Sequence, residues 1–168
     1  MSLSMYQASI PCFLRGLNNL SAILTKAESY AAAKKIDPSV LVGARLAPDM
    51  FPLSRQVQIT TDIIKGGAAR LAGAEVPSFP DTETTFADLQ ARIKKCADFL
   101  GTIKAAQIDG TEDKAIALKV GGRDLSFNGR NYLLQFVVPN VYFHITTTYA
   151  ILRHNGLDIG KMDFLGGF

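Results

Sequence analysis

A chain of 168 residues with 48% apolar side chains can bury roughly two-thirds of its unfolded surface in one core and is short for two domains. Eighteen basic residues against fifteen acidic give +3, and the positive charges are dispersed as pairs such as Lys34-Lys35 and Lys94-Lys95, which argues against a nucleic-acid partner. No apolar run approaches the roughly 18 residues of a membrane span and no leader-like pattern opens the chain, so a soluble, cytoplasmic single domain over residues 1–168 is expected.

The first predicted element covers residues 3–35. Leu3, Tyr6, Ile10, Phe13, Leu14, Leu17, Leu20 and Leu24 recur mainly three and four apart, the stripe of an amphipathic bundle helix, with Pro11 expected to kink its first turns. Cys12 and Cys96 lie in apolar helical patterns and read as buried free thiols. Asp37-Pro38 is a start signal for a second helix running to about Leu71. Pro48 and Pro52 should break or bend it, freeing carbonyls near Ala44 and Pro48 that need partners among Arg45, Asp49, Ser54 and Gln56. Asp49, Leu53, Gln56 and Thr60 then share a face.

Pro77 and Pro80 punctuate a loop. Thr85 and Asp88 resemble a capping box opening a third helix, carried by Phe86, Leu89, Ile93, Cys96 and Leu100 to about Ile103. From Lys114 to Phe127 the period changes to alternation around Gly121-Gly122, which predicts a β-hairpin that must pack on the helices or pair with another chain. Asn131 to Gly156 reads as the last helix, with Tyr132, Phe136, Phe143, Thr147, Ala150 and Ile151 on an apolar face. Asn140, His144 and Thr148 form a polar row one turn apart, aimed inward, and Pro139 should bend the helix just before Asn140 and open a small pocket. The tail from Leu157 is expected to be extended, to lie back on the bundle through Leu157, Phe164 and Leu165, and to end in a disordered GGF. The fold class is thus all-α, a four-helix bundle with a small hairpin, at about residues 114–127, inserted before the last helix.

The segments MYQASIPCFLRGLNNLSAILTKAE, RLAPDMFPLSRQVQ, TFADLQARI and YFHITTTYAILRHNG resemble the bacterial family called domain of unknown function 1993 over nearly the whole chain. The ending HITTTYAILRHNGLDIGKMDF is similar to the last helix of the DinB-like and YfiT-like bundle superfamily. That resemblance implies a DinB-like four-helix bundle. It also implies a divalent metal, nickel or zinc, held by a histidine of helix two and a histidine pair of helix four, in proteins some of which transfer low-molecular-weight thiols or isomerise small acids. Carried over by position, His144 matches the second histidine of the pair, Asn140 stands in place of the first, and Asp49 in LAPDMFP is the metal-competent side chain of helix two. A neutral amide is a poor ligand for such cations, so the pattern departs from the family's set at Asn140.

The residues themselves leave alternatives open. His144 serves as a ligand or acid-base group, or as a core histidine bonded to Asn140, Thr148 or Asp49. Asp49 serves the site or caps loose backbone. His154 is most simply a cation favoured by the helix end. The tyrosines at 6, 30, 142 and 149 are packing residues with a bonded tip or line the same cavity. Gly66-Gly67 and Gly121-Gly122 lack the context of phosphate loops. Three readings follow: a small-molecule-binding or non-catalytic bundle with a degenerate metal centre, its ligand touched by Asp49, Asn140, His144 and Thr148; a metal-assisted thiol transferase or isomerase with Asp49 and His144 as ligands; and a homodimeric interaction module joined through the hairpin or a bundle face.

Overall fold

A computed structural model describes residues 3–167, and the architecture is mostly helical with one antiparallel hairpin. The helical segments are α1 (Ile10–Lys34), α2 (Pro38–Val42), α3 (Leu53–Ala72), α4 (Phe86–Thr102), α5 (Ala105–Ile108), α6 (Gly129–Asn131), α7 (Val138–His154) and α8 (Lys161–Leu165). A π-helical stretch, Tyr132–Val137, joins α6 to α7, so Gly129 to His154 is one continuous run. Strands β1 (Ala115–Val120) and β2 (Arg123–Asn128) precede it. The long helices pack side by side, α1 on α4, α4 on α3, α3 on α7 and α7 back on α1, with the core between them.

The stripe of α1 lies where its spacing puts it, with Ile10, Phe13, Leu17, Leu20 and Leu24 buried. Pro11 falls within the first turn, where its missing N–H has no intrahelical acceptor to lose, so the helix begins there and no kink is needed. Two expectations for this region are corrected. Leu3 lies before the helix and is 74% exposed, and Cys12, one residue off the stripe, is also exposed. Cys96 is buried, and burial pushes its thiol up to about 12.

The predicted second helix is two. Asp37 accepts the Ser39 N–H and caps α2, which stops at Val42, and the prolines hold the chain non-helical until Leu53. The carbonyls freed by the break find the expected kind of partner: the Leu53 N–H donates to Ala44 O at 2.9 Å and the Arg45 guanidinium to Pro48 O at 3.3 Å. At α4 the capping box is formed, with Asp88 N–H donating to Thr85 Oγ1 and Thr85 N–H to Asp88 Oδ2. The hairpin turns at Gly121 and Gly122, whose φ of 54° and 81° a side chain would resist. It lies on the body through Ile116, with Leu118 and Phe127 half-buried beside it. The tail differs from the extended form expected. Residues 161–165 coil into α8, held to α1 by Asn19, which donates to Phe164 O, and by Lys26 with Asp163. Of the GGF ending, Phe168 lies outside the described residues.

A buried arginine ties the 73–85 connection to the long helices. Arg92 projects from α4, its side chain 1% exposed, and donates to Thr61 Oγ1 and Asp62 Oδ1 of α3 and to Pro80 O and Glu83 Oε1 of the loop, with Asp81 also in reach. Lys65 completes the group through Asp62 at 3.0 Å.

Candidate functional site around His144

Leu53, Gln56, Val57, Thr60 and Ile64 recur three and four apart along α3, and all are buried. Two of them are polar. Thr60 satisfies itself by donating to Gln56 O at 2.8 Å, the usual recourse of a hydroxyl inside a helix. Gln56, 2% exposed, cannot do so with its longer amide. Its Nε2 donates back to Phe51 O, in the connection before α3, at 3.0 Å. Its Oε1 therefore faces across to α7, where it lies 2.7 Å from His144 Nδ1.

That contact sets the histidine's tautomer. An amide oxygen only accepts, so His144 Nδ1 carries the proton and donates it, leaving the lone pair on Nε2. Burial, and then the charge of Arg55, push the imidazole below its ordinary value, so the ring is neutral at neutral pH. Phe143 stands edge-on to it, the ring centroids 5.0 Å apart. Arg55 itself is held by Gln58 and Asp81 and leans over the Phe51 ring at 5.9 Å.

An open groove of about 470 Å³ is lined by Phe143, the chain neighbour of His144, though neither His144 nor Gln56 lines it. Leu46 and Met50 of the 43–52 connection form one wall, and Pro139, Tyr142, Phe143 and Thr147 of α7 the other. Its lining is unusually apolar for free surface: Leu46, Tyr142 and Phe143 are 39%, 50% and 58% exposed. For Phe143 this corrects the expected apolar face, on which it was to be buried with Tyr132 and Ile151.

The residues singled out from sequence are distributed as follows. His144 is half-buried, and its ring bonds to Gln56 rather than to the side chains of Asn140, Thr148 or Asp49. Asn140 donates through Nδ2 to Phe136 O at 2.6 Å, and Thr148, fully buried, donates to His144 O at 3.0 Å, so both turn toward their own helix. Asp49 is exposed at the turn spanning residues 47–50, which the Met50 N–H closes onto Ala47 O. Gln56 is the partner of His144 that sequence reasoning misses. The signal available is a long amide in a mostly apolar row whose other polar member, Thr60, can satisfy itself.

A resident zinc or nickel ion does not fit this donor set. Among the described residues no three His, Cys, Asp or Glu side chains gather into a possible cluster. The elements at hand are one imidazole nitrogen, a surface carboxylate and an amide whose nitrogen is committed to the backbone. A catalytic zinc site needs three strong protein ligands.

The mostly helical fold with its hairpin defines the class of protein. A solved DinB family member protein from Shewanella denitrificans is similar to this chain with 41% identity, covering 97% of this chain and 92% of that one, at a TM-score of 0.88. The chain belongs to the family described as Domain of unknown function (DUF1993), which matches residues 5–165. No curated protein matches it. Among the described residues no helix is long and apolar enough to cross a membrane.

Proposed function

We propose that this protein binds a small organic molecule in the groove beside His144, on a bundle whose family metal centre has degenerated. The observation that carries the reading is the His144–Gln56 pair, a buried amide dedicated to fixing one histidine tautomer, one residue along α7 from Phe143, which lines an open apolar groove. Here the ring's hydrogen bond, among the described residues, is at Nδ1 alone, and Nε2 keeps its acceptor. A ligand suited to this surface has an apolar, flat body that packs on Phe143 and Met50 and one O–H, N–H or S–H that Nε2 accepts. Phe51 and Tyr142 supply further apolar contact, and Asp49, Asn140 and Thr148 are at most peripheral to the ligand in this reading. The protein acts as one domain in the cytoplasm, and a second copy joining it as a homodimer remains compatible with the exposed rings of the rim.

The test is a fragment screen read by NMR on the ¹⁵N-labelled imidazole. Binders are expected to shift His144 Nε2 and to lose affinity at least tenfold in Phe143→Ala, about 1.4 kcal/mol. A screen whose hits ignore both residues removes the groove as the site. The metal-dependent enzyme is tested separately by elemental analysis of protein purified without a histidine tag. Well under one equivalent of zinc or nickel is expected; near-stoichiometric metal that disappears in His144→Ala would replace the present reading with a thiol-transferase or isomerase type of chemistry.

A further inference from the structure

The run from Gly129 to His154 changes its buried face part-way along. In a straight α-helix, at about 100° per residue, Tyr132, Phe136 and Phe143 fall within about 40° of one another, and Val141, Ile145, Thr148 and Leu152 lie on roughly the opposite side. Tyr132 is 1% exposed and Phe136 half-buried, yet Phe143 is 58% exposed, and the opposite set is buried. A straight helix cannot present both sets to one core. Tyr132 and Phe136 lie within the π stretch, Tyr132–Val137, and the opposite set follows it; at its end the Val138 N–H reaches back five residues to Leu133 O. A turn widened from α to π takes up an extra residue, which displaces everything after it by about 100°. That displacement accounts for the change of face.

Both ends of the run are fastened to the same neighbour. Upstream, Arg70 of α3 donates to Tyr132 OH at 3.2 Å, and Tyr132 packs with Phe127 and Phe136, ring centroids 5.7 to 5.9 Å apart. Downstream, Gln56 of α3 meets His144. The helix α3 thus measures the distance between the two fastenings, and the number of residues from Tyr132 to His144 has to match. The widened turn also has its own seat: a Cβ on Gly67 would stand 2.8 Å from Val137 Cγ1, so only glycine lets α3 approach there. Asn140 supplies a side-chain donor to Phe136 O at the end of the stretch, next to Pro139, which has no N–H to give.

We propose that the π stretch is the positioning element of the site: the residue it accommodates turns His144, rather than Phe143, toward Gln56 and leaves Phe143 to line the groove. This rests on the His144 site described above, but not on any ligand occupying it.

The test compares deletion of Leu134, which is 52% exposed within the stretch, with Leu134→Ala, which keeps the residue count. The readouts are the His144 ring ¹⁵N shifts, which report protonated Nδ1 and bare Nε2, and contacts among the rings of Phe127, Tyr132 and Phe136. Leu134→Ala is expected to retain both. The deletion is expected to lose one or the other, because α3 cannot satisfy Arg70 and Gln56 with a run one residue shorter, or to fail to fold where Leu134→Ala folds. A folded deletion variant with both signatures intact overturns the proposal, and so does loss of the His144 signature in Leu134→Ala, which would assign the effect to the leucine side chain. Neither readout involves a ligand, so an empty fragment screen leaves this result standing or falling by itself.

Discussion

His144 carries a pH dependence whose sign follows from its surroundings. Its folded value is depressed by burial and by Arg55, from an ordinary 6.5. Above that ordinary value the ring is neutral in folded and unfolded chains alike, and stability is at its full level. As the pH falls below about 6.5 the unfolded chain takes the proton first, and stability is lost until the pH has passed the lowered folded value. Denaturant midpoints at pH 7.5 and 5.5 should therefore fall further in the parent than in His144→Gln. Equal falls would mean that the imidazole is solvated. The carboxylates of Asp37 and Asp88 are drawn below 3.8 by backbone and hydroxyl donors, so their contribution fades only in stronger acid, well clear of that window. The histidine was visible in the sequence as a member of an inward row. Gln56 was not visible as its partner, because the pairing spans 88 residues and depends on where a proline-broken connection restarts α3.

Among the elements, those with strong local signals were the legible ones. The Thr85 and Asp88 spacing announced α4, and Thr85→Ala should destabilise by about 1 kcal/mol, read as a shift in denaturant midpoint with unchanged slope. Gly121-Gly122 between alternating residues announced the hairpin, and the period of α1 announced its core. What periodicity could not supply was any departure from a fixed turn angle. A uniform 3.6 residues per turn puts Phe143 in line with Tyr132, and the widened turn of residues 132–137 moves it to the rim. The same limit applied to Pro48 and Pro52. Each signals a break, but where the helix resumes depends on Leu53 reaching the core and on its N–H finding Ala44 O, neither of which is local.

At the scale of the whole molecule, the helices are held together by apolar packing and by the group around Arg92. An arginine in the row Leu89, Arg92, Ile93, Cys96 looks out of place in sequence until the 73–85 connection folds over it with Asp81 and Glu83. Arg92→Met preserves the bulk but leaves Asp62, Asp81 and Glu83 near one another without their shared cation. The expected loss is about 3 kcal/mol, at the lower end for breaking a buried ion pair because Asp62 and Asp81 retain some solvent. Adding Glu83→Gln should recover part of that loss, and a double mutant whose losses simply add would mean that the charges do not interact.

The hairpin is fastened at its base and free at its tip. Lys114 caps Leu71 O at 3.0 Å, Arg130 N–H donates to Glu112 O at 2.9 Å, and a methyl on Gly129 would collide with the Thr111 carbonyl. At the far end, among the described residues, nothing lies within 4 Å of where a Cβ on Gly121 or Gly122 would sit. This makes the bend a natural grafting point. A short glycine-serine insert, or a reporter peptide, placed between the two glycines should leave the melting temperature essentially unchanged. The same insert beside Gly129 should lower it sharply, giving a way to label the protein while the groove stays undisturbed.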